Sequence, residues 1–445
     1  MDIENLMGRE FRCKRCGEIH RVSTLYIDNG PSGEIPSFLG KASGGKNKIL
    51  LLADTITWEA AGEKYGKLIE KEFNVTPVVL SPEKEKRVTA RESYLPAIRK
   101  EAGSADIIVT VGTGTVTDLG KITGEETGKP VISFPTAPSM NGYTSPVAAY
   151  IKEGLKLTIP VTPALAVFSS QEVLSNAPME LIKAGFADSL AKAFANADWQ
   201  ISSIITGESF CSMPYEIVSA SEKEYMEKGD MLLKRDPKTL DKLMEALNLG
   251  GISMSIAGKS SPASGGEHLI SHFLDMYSHL YREEIFAYHG LQVGTGVIFS
   301  SLLYEEMKDL SAGDVKILLQ ETSQEYGKEF ERLVSLFPTA GTLLEREFRE
   351  KMRQIMILRE SLHDKWEDIK RKAFPMVYET EKIRKVYEKA DIPLHISKLG
   401  AGEELVLDSL ILARFIRGRV TILDLAGETG ILEKVARKYV MGDYT

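Results

Sequence analysis

Three short runs, KILLLAD at 48–54, DIIVTV at 106–111 and PVISFP at 130–135, are apolar at nearly every position, with helical periodicity between them. A strand that alternates apolar and polar residues buries one face, whereas a strand apolar throughout must bury both. PVVL at 77–80 adds a further strand, and the amphipathic ITWEAAGEKYGKLIEKEF, a helical stretch around 91–101 and a helix from about 115 supply the covering layers. This alternation predicts an α/β fold, a parallel sheet with helices on both faces, of the kind that binds nucleotides at its carboxyl edge.

The rhythm breaks over 136–168. TAPSMNGYTSP is too rich in Pro, Ser, Thr and Gly for regular structure, VAAYIKEGLKLTIPV reads as a hairpin turning at Glu153 and Gly154, and ALAVFS is another strand. From about 171 onward the periodicity is almost entirely helical. Charge-rich runs such as LEREFREKMRQIMILRESLHDKWEDIKRKAF interleave apolar residues at three- and four-residue spacing, the pattern of helices with one solvated face. At 445 residues the chain exceeds the roughly 250–300 residues that one core supports. The expected division is a dinucleotide-binding α/β domain over 1–170, with a short Cys-containing N-terminal extension, and an all-helical metal-binding domain over 171–445.

A net charge of −8 argues against a general nucleic-acid or membrane-surface role. No N-terminal stretch joins a basic start to a long apolar run, and none approaches the ~18 apolar residues of a membrane helix, so a soluble cytoplasmic protein without nucleic-acid partner or membrane insertion is expected. Three cysteines exclude a disulfide framework. Cys13 and Cys16 form a CxxC followed by His20, but a zinc ribbon needs a second knuckle, and Cys211 stands alone far downstream. The segment therefore reads as a short hairpin with reduced thiols, a metal or redox role being the minority alternative.

Three segments carry chemistry. In VGTGTVTD, Gly112 and Gly114 allow a tight strand-to-helix turn whose amides suit a diphosphate, although the motif is not GxGxxG and such turns also serve packing. The PTAPSMNGYTSP loop follows the next strand, at the same sheet edge, and offers Thr136, Ser139, Asn141 and Ser145 as donors and acceptors. It could equally be a turn cluster satisfied by its own backbone. Four of the seven histidines, His268, His272, His279 and His289, fall close together, and His268 and His272 share a helix face. With Asp188 of AGFADSLAK, two of these imidazoles could give three ligands and leave an open position, the mark of a catalytic metal. Spacing alone leaves the choice among the four histidines open.

Taken in order, VGTGTVTD, PTAPSMNGYTSP, AGFADSLAK, SGGEHLISHF, YHGLQVGTG and RFIRGRVTILDLAGETGIL resemble the glycerol-1-phosphate dehydrogenases, bacterial branch, of the iron-dependent alcohol dehydrogenase and dehydroquinate synthase-like superfamily. The resemblance runs from about residue 40 to the C-terminus. It implies Asp188, His268 and His289 as metal ligands, with Zn²⁺ first and Ni²⁺ or Fe²⁺ as alternatives, and His272 either behind those ligands or beside the substrate. It implies NAD or NADP contacts at Asp54, Gly112, Thr113, Gly114, Thr115, Asp118, Thr136, Ser139, Ser145 and Val147. It also implies a homo-oligomer. Where the family usually carries an aspartate near the substrate, this chain has Asn141, which keeps hydrogen bonding but cannot take a proton.

The activity implied is reversible hydride transfer between NAD(P)H and a phosphotriose, dihydroxyacetone phosphate, giving sn-glycerol 1-phosphate, a step of phospholipid metabolism. Asn141 and His272 are the expected residues at the reacting centre, with His272 as a proton carrier. Lys156 and Lys259 are candidates for the phosphate. A dehydrogenase for glycerol or another polyol, a dehydroquinate synthase-like cyclase and a non-catalytic phosphometabolite-binding protein are the alternatives.

Overall fold

The structure, a computed structural model, describes residues 5–28, 34–83, 86–322 and 326–444. Its strands are β1 (Glu10–Arg12), β2 (Ile19–Arg21), β3 (Tyr26–Asp28), β4 (Lys48–Asp54), β5 (Asn74–Leu80), β6 (Ile107–Gly112), β7 (Val131–Pro135), β8 (Val147–Lys152), β9 (Leu155–Pro160) and β10 (Ala166–Phe168). Six of them form a parallel sheet in the order β3–β10–β7–β6–β4–β5. The run KILLLAD shows why an apolar strand needs two covered faces. Ile49, Leu51 and Ala53 enter one core with Val109, Val111 and Phe134, while Leu50 and Leu52 enter another with Ile108, Val116 and Leu119. Each such side chain contributes about 1.5–3 kcal/mol on full burial.

From β4 the sheet grows one way to β5 and the other way to β6, β7 and β10. The reversal lies between β4 and β6, and α/β sheets bind ligands at the carboxyl ends of the strands flanking such a switch. Those ends are Asp54 and Gly112, and Gly112 pairs with Pro135 at the end of β7.

β8 and β9 form the expected hairpin, with Glu153 (φ 51°) and Gly154 (φ 82°) at its turn. Two elements were not foreseen: the helix Ile35–Ala42, and β3, which pairs in parallel with β10 at the sheet edge. β3 comprises only Tyr26, Ile27 and Asp28, too short a run to display a period.

Two compact units emerge. The first runs from the N-terminus through Lys152 and adds Lys156–Ser189 and Glu216–Ser260; the second comprises Glu153–Leu155, Leu190–Tyr215 and Ser261 onward. The first holds the sheet. The second is helical and includes the 32-residue helix Gly341–Lys372, which buries Leu344, Ile355, Leu358, Leu362, Trp366 and Ile369 along one stripe. Within that stripe Lys351 is fully buried, with Nζ 2.8 Å from Asp424 Oδ2.

Candidate active site

At the sheet edge, Thr113 is extended (φ −90°, ψ −164°) and turns β6 into the helix Gly114–Thr127. No side chain caps this helix, so the amides of its first turn, including that of Thr115, are suited to an anion. A Cβ on Gly112 would come 2.7 Å from Val116, and one on Gly114 2.7 Å from Met140. Packing therefore requires glycine at 112, whereas at 114 the atom met is the flexible end of Met140, which can yield. Asp54 is held at the end of β4 by a reciprocal cap: its Oδ1 accepts from Thr57 N (2.8 Å), and Thr57 Oγ1 accepts from Asp54 N (3.0 Å).

The loop after β7 is bound to this edge, where Thr136 N donates to Gly112 O (3.2 Å). Ser139 Oγ lies 3.5 Å from Tyr143 OH, which donates to Ala137 O at 2.7 Å. The loop's main anchor is Lys121, whose fully buried Nζ donates to Gly142 O (2.8 Å), Ser145 Oγ (3.0 Å) and Val147 O (2.6 Å). It also sits 3.1 Å from Asp118, whose Oδ2 accepts from Ala149 N at 3.0 Å. Burial lowers the pKa of Lys121 and raises that of Asp118, and their mutual attraction opposes both shifts. The charge of Lys156 on β9 also acts to lower the pKa of Asp118. Ser145 and Asp118 are thus engaged within the protein. Lys259 follows the helix Pro237–Ala257, with its amide donating to Met254 O (3.3 Å) and its side chain half-buried.

Two helices of the same unit clasp the loop where they carry glycine. A Cβ on Gly185, in the helix Met179–Leu190, would fall 1.7 Å from Pro138 O, and one on Gly251, in the helix Pro237–Ala257, 2.1 Å from Thr144 Oγ1. Asp188 lies one turn beyond Gly185 on the same helix face, fully buried, and its Oδ2 accepts from the backbone N of Asn141 at 3.2 Å. The link from Asn141 to Asp188 is therefore main-chain. Its side-chain Nδ2 is buried and makes no hydrogen bond among the described residues.

The histidines belong to the helical unit. His268 and His272 lie one turn apart on the helix Gly266–Tyr281, and His289 opens the helix His289–Met307. These helices touch backbone to backbone, since a Cβ on Gly296 would fall 2.7 Å from Glu267 O. The close approach brings the His289 ring to 5.3 Å from that of His268 and 5.7 Å from that of His272, centroid to centroid. A ring nitrogen of His268 and one of His289 lie within 4.8 Å of each other. His279, the fourth histidine, lies near the end of the first helix.

Neighbours fix which nitrogens those are. His268 Nδ1 is 2.8 Å from the fully buried carboxylate of Glu267, so Nδ1 carries the proton and donates. His289 Nδ1 is 2.9 Å from Ser271 Oγ, which itself donates to Gln292 Oε1 at 3.4 Å and thus accepts from Nδ1–H. With Nδ1 as the donor, Nε2 of each neutral ring carries the lone pair with which imidazole binds a cation. Behind Glu267, Asp198 accepts from Gly266 N (2.7 Å), Tyr304 OH (2.8 Å) and Ile422 N (2.9 Å). Burial, followed by the charge of Glu267, raises the pKa of Asp198 to about 7. Arg419 faces Glu208, Glu267 and Asp198 and is attracted by all three.

Lys121, Glu267, Ser271 and Asp198 were missed in the sequence. Only Lys121 had a usable signal: three residues beyond Asp118 in TDLGK, it falls on the buried face of a helix, where a lysine needs acceptors. The C-terminal segment RFIRGRVTILDLAGETGIL acts as a structural pin, with Arg414 on Glu428 (2.9 Å) and Asp424 on Lys351.

Residues 26–178 match the iron-containing alcohol dehydrogenase family. A glycerol-1-phosphate dehydrogenase (NAD(P)+) of Bacillus licheniformis is 32% identical over 318 residues, covering 70% of this chain and 79% of that protein. One from the archaeon Thermococcus kodakarensis is 32% identical over 280 residues, 63% of this chain and 77% of that protein. Among solved structures, a probable glycerol dehydrogenase from Sinorhizobium meliloti 1021 aligns with a TM-score of 0.57 at 15% identity, covering 93% of this chain and 96% of that one. An iron-containing alcohol dehydrogenase from Thermococcus thioreducens aligns with a TM-score of 0.57 at 14% identity, covering 94% and 99%. At those identities the structural likeness speaks for the fold. With its order of motifs and a relative of this identity and coverage, the chain belongs to the glycerol-1-phosphate dehydrogenase family.

Proposed function

We propose that this chain catalyses the reversible, metal-dependent reduction of dihydroxyacetone phosphate to sn-glycerol 1-phosphate, with NADH or NADPH as hydride donor. Besides family membership, the pair of imidazoles at His268 and His289 carries the reading. Both have Nδ1 tied down, so both offer Nε2 to a cation. With the buried carboxylate of Asp188 they make a two-nitrogen, one-oxygen donor set, suited to Zn²⁺ and also to Ni²⁺ or Fe²⁺. When bound, such an ion supplies Lewis-acid polarisation of the substrate carbonyl for hydride delivery from the nicotinamide.

Residues 1–170 are assigned to the dinucleotide and 171–445 to the metal. Asp54 is assigned to a ribose hydroxyl, and the turn Gly112, Thr113, Gly114 and Thr115 to the diphosphate, a reading supported by the switch between β4 and β6 and by the uncapped helix start. Thr136 and Ser139 contribute from the adjoining loop and Val147 from the start of β8, whereas Asp118 and Ser145 act through Lys121 by shaping the loop. His272, 6% exposed and beside both proposed ligand histidines, is the group available to pass a proton to the nascent alcohol. Asn141 orients substrate with its amide, and Lys156 and Lys259 are assigned to the phosphate.

The handedness of the product tests this function. Product formed from dihydroxyacetone phosphate is offered to a dehydrogenase specific for sn-glycerol 3-phosphate, and resistance to oxidation is expected. Complete oxidation would show the opposite enantiomer and contradict the proposal.

A further inference from the structure

The N-terminal hairpin brings its chemical groups to one end. β1 and β2 pair antiparallel with Phe11 opposite His20, and Cys13 N donates to Glu18 O at 2.8 Å. The chain then reverses tightly: Gly17, in the left-handed region at φ 78°, donates its N–H to Cys13 O (3.0 Å), and Arg15 N points at Cys13 Sγ (3.3 Å). Cys16 Sγ lies 3.2 Å from His20 Nε2. Two sulfurs and one imidazole nitrogen thus lie within 4.8 Å of one another. Zn–S bonds of ~2.3 Å in a tetrahedron put ligand atoms roughly 3.5–3.8 Å apart, so only small shifts separate this cluster from a loaded knuckle. None of the three cysteines is in a disulfide, and Cys13 is 3% exposed.

A second observation concerns where the hairpin rests. Arg15 pairs with Glu216 (Nη2 to Oε2, 2.7 Å), and β2 packs on the helix Pro237–Ala257. The pair is solvent-exposed and contributes little energy, but it fixes position. Glu216 lies on the helix Met213–Tyr225, which begins two residues after Cys211, itself 4% exposed. The chain thus carries its only other thiol to within five residues of the knuckle's anchor.

We infer that Cys13, Cys16 and His20, with Cys211 as fourth ligand, form a structural zinc site separate from the catalytic metal centre. Four protein ligands close the coordination sphere, which leaves no position for substrate and excludes this site from the reaction. Its role is to hold the extension. β1 and β2 have three residues each, and a two-stranded hairpin of that size is marginal without a staple. The second knuckle that the sequence seemed to lack is replaced by one distant cysteine.

Cobalt replacement in the full-length chain tests the site independently of turnover. In a variant carrying His268→Ala and His289→Ala, which leaves the hairpin untouched, about one Co²⁺ per chain should remain, with tetrahedral d–d bands and a thiolate-to-cobalt charge-transfer band. Cys16→Ser should abolish that band and lower the zinc content of the otherwise wild-type protein by one ion. Cys211→Ser should weaken the band and release the metal to a mild chelator. Absence of the thiolate band in the His268→Ala/His289→Ala protein would overturn the site, and an unaltered band in Cys211→Ser would overturn the fourth ligand. Because the band is read without substrate, its loss is distinguishable from failure of the proposed dehydrogenase activity.

Discussion

At the scale of single residues, a few buried polar groups set the chemistry by holding others. Ser271 has one task that can be tested, which is to accept the Nδ1 proton of His289 and keep Nε2 as the lone-pair nitrogen. Ser271→Ala should weaken metal binding by about 10–100-fold while the fold is kept, and activity should recover at high metal. Equal metal affinity in titrations of the two proteins would contradict this. Asp198 gives a pH signature. Its pKa is raised in the folded state, to about 7, above the ~3.9 of an unfolded aspartate, so the folded chain holds a proton that the unfolded chain has released. The stability this confers is complete below about pH 4 and is lost as pH rises toward about 7. Asp198→Asn should lower stability overall but flatten urea midpoints across that window; an unchanged slope would count against the assignment. Neither residue was legible in the sequence, where a buried Asp or Ser looks like a solvated one. The proposed ligand set Asp188, His268 and His289 rests on the family's order of motifs, because spacing alone favoured His268 with His272.

At the scale of elements, the apolar strands and the Glu153–Gly154 hairpin could be read directly, since burial of both faces and left-handed turn residues leave strong local marks. β3 could not, being three residues whose partner β10 lies far along the chain. The loop over 136–146 was recognised as irregular, but its hold came from outside it: Lys121 beneath, and helices made narrow at Gly185 and Gly251. Lys121→Met leaves Asp118 and the loop carbonyls without their cation and should cost about 3–5 kcal/mol in denaturant unfolding. A cost below about 1 kcal/mol, the scale of a surface ion pair, would contradict this. Gly185→Ala pushes a methyl into Pro138 O and must displace the loop. The expected result is at least a tenfold rise in KM for the nicotinamide cofactor, about 1.4 kcal/mol, with helix content preserved; an unchanged KM would separate the loop from the cofactor.

At the scale of the whole molecule, one unit carries the sheet with its switch point and the other carries the histidines. Among the described residues no helix is long and apolar enough to cross a membrane. The homo-oligomer implied by the family is checked by light scattering, where a monomer would contradict it. The central claim is that this pairing of a dinucleotide edge with a two-histidine, one-aspartate metal set reduces a phosphorylated triose. It is tested most directly by following NADH and NADPH oxidation with dihydroxyacetone phosphate, using protein stripped of metal and reloaded separately with Zn²⁺, Ni²⁺ or Fe²⁺. Oxidation that requires metal and falls away when dihydroxyacetone replaces its phosphate is the predicted result. No oxidation under any loading, by protein that still binds NAD(H), would contradict it.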